Sequence, residues 1–369
     1  MLLNLTILPG DGIGPEVTEQ AVLVLQAIAD AFDHQLQLRY KNIGGAALAA
    51  IEDPLPADTV QACLLSSAVL MGAVGNPAFD HYPNHLRPEA GLLRLRRQLG
   101  AYANLRPAIC FPALEDSSPL RTEFVRGTDI MIVRELLGGL YFGEPRSIAG
   151  TPGARVATNT MTYGEPAIER IARVAFDLAM KRRRKVLSVD KANVLECSRL
   201  WREVVIRCAK NYPGIHLSHM YVDSAAMLLV QRPKDFDVVL TENMFGDILS
   251  DQAGGVVGSL GLLASASIGG PVGLYEPVHG SAPDIAGKGI ANPLGAILTV
   301  ALLLRHSFQL EREAACIESS VSAVLNAGAR TADLARSGQS SITTAEMGRK
   351  VVEAVKVSDL CRNPPEGNS

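Results

Sequence analysis

The sequence predicts an α/β protein built on a largely parallel sheet, without the usual Rossmann dinucleotide motif. Three observations carry this. Short apolar runs alternate with longer amphipathic segments, the pattern of strands joined by crossover helices. Several polar or glycine-rich motifs fall directly after those runs, where open α/β sheets bind ligands. The glycine motif at the first strand-to-helix junction, Gly10-Asp11-Gly12-Ile13-Gly14, is G-x-G-x-G rather than G-x-G-x-x-G. No acidic residue follows it at a second strand end roughly 20 residues on, and no Gly-Lys-Ser/Thr makes it a P-loop.

The elements follow in order. Leu3 to Leu8 reads as a buried strand ending in Pro9-Gly10. Pro15 opens a helix, with Val17, Ala21, Val22, Leu25, Ile28 and Phe32 on one apolar face. Ala68 to Val74 is a second strand, closed by Gly75-Asn76-Pro77. Ile168, Ile171, Ala172, Ala175, Phe176 and Ala179 mark an amphipathic helix that ends in Lys181-Arg182-Arg183-Arg184-Lys185. That basic run reads as a solvated helix C-terminus, where cations oppose the dipole, or as an anion site. Strands follow at Val186–Val189, His216–Val222 and Asp237–Leu240. A capped apolar helix runs from Asn292-Pro293 to Leu304, and the tail after Ser358 reads as loose.

Composition bounds the function. The chain has 369 residues, 47% of them hydrophobic and 20% charged, enough for a packed core and about two domains. A net charge of -3 argues against nucleic-acid binding, which needs a basic surface. The six cysteines form no CxxC pair and show no zinc spacing with a His, so they read as free thiols in a reducing cytosol. The N-terminus lacks a basic region and a cleavage site. The longest apolar run, near Leu298 to Leu304, falls far short of the ~20 residues of a membrane span. A cytoplasmic protein is expected.

Five constellations carry possible chemistry. The glycine turn at Gly10–Gly14 is one, read either as a ligand loop or as helix–strand packing. Asp247 and Asp251 lie four apart on one helix, so their carboxylates share a face and need a cation. With Asp223 at another strand-to-helix junction, and no Cys or His nearby, they suit a hard ion such as Mg²⁺ or Mn²⁺, or else are solvated. Arg106 and Arg134 lie in or at the end of apolar runs and must find acceptors; Arg94, Arg96 and Arg97 extend the group. They read as carboxylate binders or as internal salt bridges, for instance Arg134 with Glu135. Lys191, beside Asn193 past a strand, is a candidate base, and Tyr141 in a glycine-flanked loop a candidate acid. The long Gly/Pro loop Glu276 to Gly287 is the fifth.

Together these motifs resemble the β-decarboxylating dehydrogenase family, which includes isocitrate, homoisocitrate and 3-isopropylmalate dehydrogenases. The resemblance runs from Leu5 to about Val355. Its most specific blocks are Asn104–Pro107, Val133–Arg146, Val189–Glu196, Asn243–Asp251 with Gly258–Gly261, and Glu276–Pro293. The segments Arg134–Gly143 and Arg87–Leu93 are similar to the 3-isopropylmalate branch; the other branches usually carry a more polar Asn-Thr-Glu version of the first.

The resemblance implies a two-lobed isopropylmalate/isocitrate dehydrogenase-like α/β fold. The first lobe would be residues 1–101 and 258–369, the second, dimerisation lobe 102–257, with a cleft between them. It implies NAD-dependent oxidation and decarboxylation of 3-isopropylmalate, a step of leucine biosynthesis, or the same chemistry on isocitrate, homoisocitrate, tartrate or D-malate. Arg96, Arg106 and Arg134 would bind the malate carboxylates, and Leu92, Leu93 and Val194 the isopropyl group, with Glu89 nearby. An apolar pocket rewards a branched alkyl group and rejects a third carboxylate by desolvation. Asp247 and Asp251 would hold Mg²⁺ or Mn²⁺, with Asp223 and the base Lys191 supplied by the second subunit of a homodimer. Tyr141 would be the acid. His279, Gly280, Ser281, Ala282, Asp284, Ile285 and Asn292, with Asn193, would bind the cofactor. Asp284 suits a ribose 2′-hydroxyl and repels a 2′-phosphate, which implies NAD⁺ over NADP⁺. After Val74 the branch usually reads Gly-Gly-Pro-Lys-Trp-Asp; here Gly75-Asn76-Pro77-Ala78-Phe79-Asp80 replaces it, a change that bears on substrate preference and loop closure.

Two other readings fit parts of the pattern. A Mg²⁺-dependent phosphotransferase using Asp247 and Asp251 would need phosphate-binding machinery, and no Walker-type Lys motif is present. A non-catalytic homologue would have no use for Lys191, Tyr141 and three aspartates together.

Overall fold

A computed structural model describes residues 1–336, 338–358 and 361. The tail expected to be loose after Ser358 lies, apart from Cys361, outside the described residues. The chain divides into two compact units.

The first unit comprises Met1–Ala101, Cys110–Pro119 and Val257–Ser369. Its strands run in the order Gln35–Tyr40, Leu2–Gly10, Ala68–Ala73, Gly273–Pro277, Ala264–Ile268. The first four are parallel neighbours and the last pairing is antiparallel. Leu8, Val69, Met71 and Leu274 of these strands pack with Leu95 and Leu99 in one apolar core. Helix Gly14–Ala31 buries Val17, Ala21, Leu25 and Ile28 as expected; it also buries Val24, while Val22 is only half-buried. The stripe is wider than one face because helices Leu294–Ser307 and Thr344–Val357 pack against this helix as well as the sheet does.

The second unit comprises Tyr102–Ile109 and Leu120–Val256. Its strands run Ala103–Ile109, Asp129–Glu135, Val238–Thr241, Lys185–Asp190, His216–Tyr221. The first pairing is antiparallel and the others parallel. Helix Glu165–Met180 buries the six residues its periodicity indicates. An exposed antiparallel ribbon, Ser147–Ala149 with Val156–Thr158, completes the unit.

Three details differ from the sequence reading. The stretch 110–119 belongs to the first unit: Arg336 donates to the Asp116 carbonyl at 3.2 Å and Arg330 bonds the Ala113 carbonyl, anchoring it there. The basic run is exposed at Lys181, Arg183, Arg184 and Lys185, as the solvated reading has it, but two of its arginines are also tied down. Arg182 bridges Asp237 at 2.8 Å and Asp129 at 2.9 Å, and Arg183 donates to the Asp129 and Lys234 carbonyls, tying the turn before one strand to the starts of two others. Not every thiol is free. Cys316 and Cys361 form a disulfide with Cα atoms 6.3 Å apart. Spacing could not reveal a partner 45 residues away, brought close by packing of helices Glu311–Asn326 and Thr344–Val357.

Candidate active site

In the second unit, four sequence-selected residues meet around the carboxyl ends of the parallel strands Asp129–Glu135 and Val238–Thr241, Arg106 reaching them from the neighbouring antiparallel strand. Arg134, on the last turn of strand Asp129–Glu135, is 1% exposed. Its guanidinium forks onto Asn243 Oδ1 at 3.0 and 2.7 Å and also binds Asp247. Its partner is therefore Asp247, not Glu135. Arg106, from strand Ala103–Ile109, donates to Asn104 Oδ1 at 2.8 Å, Ser250 Oγ at 2.6 Å and Asp251 Oδ1 at 3.2 Å; Asp247 lies at 3.3 Å. Helix Asn243–Val257 thus presents Asp247, Ser250 and Asp251 on one face to two guanidinium groups. The repulsion between two like charges one turn apart is offset by those cations.

Tyr141 closes the cluster. It sits in the short turn Gly139–Tyr141, and its hydroxyl donates to Asp247 Oδ2 at 2.8 Å. The Arg134 guanidinium lies over its ring, 5.6 Å from the centroid. Burial, reinforced by the Asp247 carboxylate, pushes the phenol up to about 12. Partial burial also raises the Asp251 carboxyl; Arg106 pulls against it and Asp247 adds to it. The phenol is therefore a neutral proton donor at ordinary pH, beside carboxylates and arginines poised for anions.

Lys191 and Asp223 form a separate pair, with Nζ 2.5 Å from Oδ1. This hydrogen bond holds the exposed Asp223 carboxyl below its ordinary range. Next to them, the buried Asp190 takes a two-pronged bond from Arg202 at 2.9 and 2.8 Å. Among the described residues, no three Asp, Glu, His or Cys side chains gather as a metal site, so Asp223 does not join Asp247 and Asp251 within this chain. Val194, 62% exposed, and the exposed Asn193 lie on the loop after Lys191.

The first unit holds the other selected residues. Arg96, on helix Pro88–Gln98, is buried and paired with Glu276; its Nε has no partner. Leu92 is half-buried against the apolar core, Leu93 is half-buried and Glu89 is exposed. Asp11, in the glycine motif, caps helix Gly45–Ile51 by accepting from Gly45 and Ala46 at 2.8 Å and holds Gly75 at 3.0 Å. Gly12, at φ 58°, places Ile13 N–H on the Ser281 carbonyl at 2.8 Å. The motif therefore packs against and positions the Ser281 loop. In that loop His279 is buried, its Nδ1 lies 3.0 Å from the Gly280 carbonyl, and its Nε2 has no partner. Burial lowers its pKa, so the ring stays neutral. Asp284 is exposed, and Asn292 caps helix Leu294–Ser307 through the Leu294 N–H at 3.0 Å.

The isocitrate/isopropylmalate dehydrogenase family model matches residues 4–351. The chain belongs to that family. It is accordingly an oxidoreductase, and the neighbours agree. A 3-isopropylmalate dehydrogenase of Priestia megaterium is 57% identical over 337 residues, 91% of each chain. One of Bacillus subtilis is 52% identical over 98% of this chain and 99% of its own. The crystal structure of isocitrate dehydrogenase from Methylococcus capsulatus superposes with a TM-score of 0.85 at 37% identity, covering 96% of this chain and 99% of that one. Asn104, Asn243 and Ser250, which fix the arginines, carry no charge to mark them; the signal available was their place, Asn104 two residues before Arg106 and the other two on the helix of Asp247 and Asp251.

Proposed function

We propose that this chain oxidises and decarboxylates 3-isopropylmalate to 4-methyl-2-oxopentanoate, using NAD⁺ and Mg²⁺ or Mn²⁺, as a cytoplasmic homodimer in leucine biosynthesis. The carrying observation is the Arg106–Arg134–Asp247–Asp251–Tyr141 cluster, which joins carboxylate binders, hard-ion ligands and a proton donor in one place. The identity to relatives named 3-isopropylmalate dehydrogenase, over almost their full length, supports the choice of substrate. So do the half-buried Leu92 and Leu93 on helix Pro88–Gln98.

The residues fit both groups. Two all-oxygen carboxylates with no sulfur or imidazole suit a hard divalent ion. The orphaned Nε2 of buried His279 and the open space around Gly280, Gly287 and Gly289 suit the adenosine half of a dinucleotide, and exposed Asp284 suits its ribose hydroxyls. Held by Asp247 and Asp251, a divalent cation would supply polarisation of the C2 oxygen, and NAD⁺ held by the His279–Asn292 loop would supply the hydride acceptor.

The chain's own groups do the rest. Arg106 and Arg134, with Arg96, hold the two carboxylates and orient C2. Lys191 removes the C2 hydroxyl proton. After CO₂ leaves, Tyr141 returns a proton to C3. The Lys191–Asp223 pair stands apart from Asp247 in the chain, and Met227, Val230 and Ile248 expose apolar surface on two helices of the second unit. Both features favour a dimer in which each subunit lends Lys191 and Asp223 to the other.

The test is NADH formation by purified protein with Mg²⁺ or Mn²⁺ on 3-isopropylmalate, isocitrate and D-malate. Preference for 3-isopropylmalate supports the assignment. Activity only on another acid would overturn the roles of Leu92, Leu93 and Val194.

A further inference from the structure

The proposed mechanism leaves one buried pair unused. Tyr163 and Glu242 reach no reacting atom, yet they hold both halves of the charged cluster. Helix Asn243–Val257 begins with N–H groups that have no partner inside the helix. Tyr163 Oη accepts the Asn243 N–H at 2.9 Å. Glu242 accepts those of Met244 at 3.1 Å and Phe245 at 2.7 Å. The Tyr163 hydroxyl completes the set by donating to Glu242 Oε2 at 3.3 Å.

The same tyrosine ring packs against the loop that carries Tyr141. A Cβ on Gly138 would lie 2.7 Å from Tyr163 Cε1, and one on Gly139 2.7 Å from its hydroxyl. Asn243 ties the helix to that loop again, donating to the carbonyls of Leu136 at 3.1 Å and Gly138 at 2.9 Å. The circuit closes where Tyr141 meets Asp247. Trp201, the only tryptophan, braces Tyr163 edge-on at 5.5 Å.

We propose that Tyr163, with Glu242, is a positioning residue that sets Tyr141 in register against Asp247. This rests on the dehydrogenase reading above. A hydroxyl shared between a helix start and a loop fixes their spacing, and misplacing a proton donor by ~1 Å costs one to two orders of magnitude in rate.

Tyr163→Phe keeps the ring and removes the shared hydroxyl. On 3-isopropylmalate, kcat should fall about 10-fold while the KM values for substrate and NAD⁺ stay within about 3-fold, because Arg134 keeps its own bonds. Amide exchange read by mass spectrometry supplies a readout without substrate. Peptides spanning 136–143 and 243–250 should exchange faster together, by about 10-fold, while strand 216–221 is unchanged. Wild-type kcat with unchanged exchange overturns the proposal. So does acceleration spread evenly over the chain, which marks a merely structural role. If the wild-type protein fails to oxidise 3-isopropylmalate, the substrate assignment falls alone. Exchange then decides: joint acceleration of the two segments upholds the positioning role, and no change in them overturns it. Should Tyr163→Phe not fold, Glu242→Gln is read by the same criteria.

Discussion

Replacing Tyr141 by Phe tests the chemistry at one atom. The ring stays in place under Arg134, 5.6 Å from its guanidinium, and only the hydroxyl that donates to Asp247 Oδ2 at 2.8 Å is lost. The structural cost is that of one hydrogen bond, about 0.5–1.5 kcal/mol, so the melting temperature should move by a few degrees at most. The catalytic cost should be far larger. A positioned general acid contributes about 10²–10⁴-fold. The phenol, pushed up to about 12, keeps its proton throughout the assay range, so no other ionisation state of this residue can substitute for the donor. Carboxylate binding should survive, since Arg106 and Arg134 are untouched. Steady-state NADH formation at saturating NAD⁺ and metal should therefore show kcat down by about 10²-fold or more, with KM for 3-isopropylmalate within about 3-fold. A variant that retains more than about a third of wild-type kcat refutes Tyr141 as the acid.

Lys191→Met should lower kcat by at least about 10²-fold while size-exclusion chromatography gives the same assembly, on the proposed function a dimer, as for the wild type; near-normal turnover removes Lys191 as the base. Asp284→Lys replaces an exposed carboxylate by a cation that attracts a 2′-phosphate, and should raise the NADP⁺-to-NAD⁺ ratio of kcat/KM by about 10-fold or more; an unchanged ratio ends that account. Gly12→Ala would set a Cβ 2.0 Å from the Ser281 carbonyl oxygen at φ 58°, so thermal unfolding should shift down by several degrees and the apparent affinity for NAD⁺ should fall with it. Burial raises the carboxyls of Glu135 and Glu242, so the folded chain binds more protons there than the unfolded one. Their contribution to stability is complete below the ordinary carboxylate range and declines as pH rises through the raised values; Glu242→Gln should flatten that decline in melting temperatures taken upward from about pH 4.5.

The fold was legible because burial and period agree. Helix Glu165–Met180 has one apolar stripe, and its six buried residues are those its spacing selects. The buried parallel strands read as short apolar runs for the same reason, as at Ala68–Ala73, whereas the partly exposed parallel strand Gln35–Tyr40 alternates polar residues and gave no such run. The positions of Asp247 and Asp251 followed from helix geometry alone. What the sequence hid are partners far along the chain. Arg134 finds Asp247 and Asn243 more than a hundred residues away, Arg182 finds Asp129 and Asp237, and Cys316 finds Cys361. Tyr163 carried no local sign at all, since its value lies in touching a helix start and a loop that tertiary packing brings together.

The arginines also show that two readings taken as rivals are compatible. From the sequence, Arg134 was either an internal salt bridge or a carboxylate binder. In the structure it is bonded to Asp247, and Arg106 spans Asp247 and Asp251. A buried guanidinium without an acceptor would cost several kcal/mol, so an arginine meant to bind an anion must be paired beforehand. The acidic pair has the complementary need, since Asp247 and Asp251 would repel one another without a cation. Each set therefore holds the other in place while the site waits. A dianionic malate and a divalent cation bring equal and opposite charge, and could exchange partners with this quartet without leaving an ion unpaired. On the proposed function the salt bridges would be the resting form of the binding site, and removing either arginine should then weaken both substrate and metal binding rather than substrate binding alone.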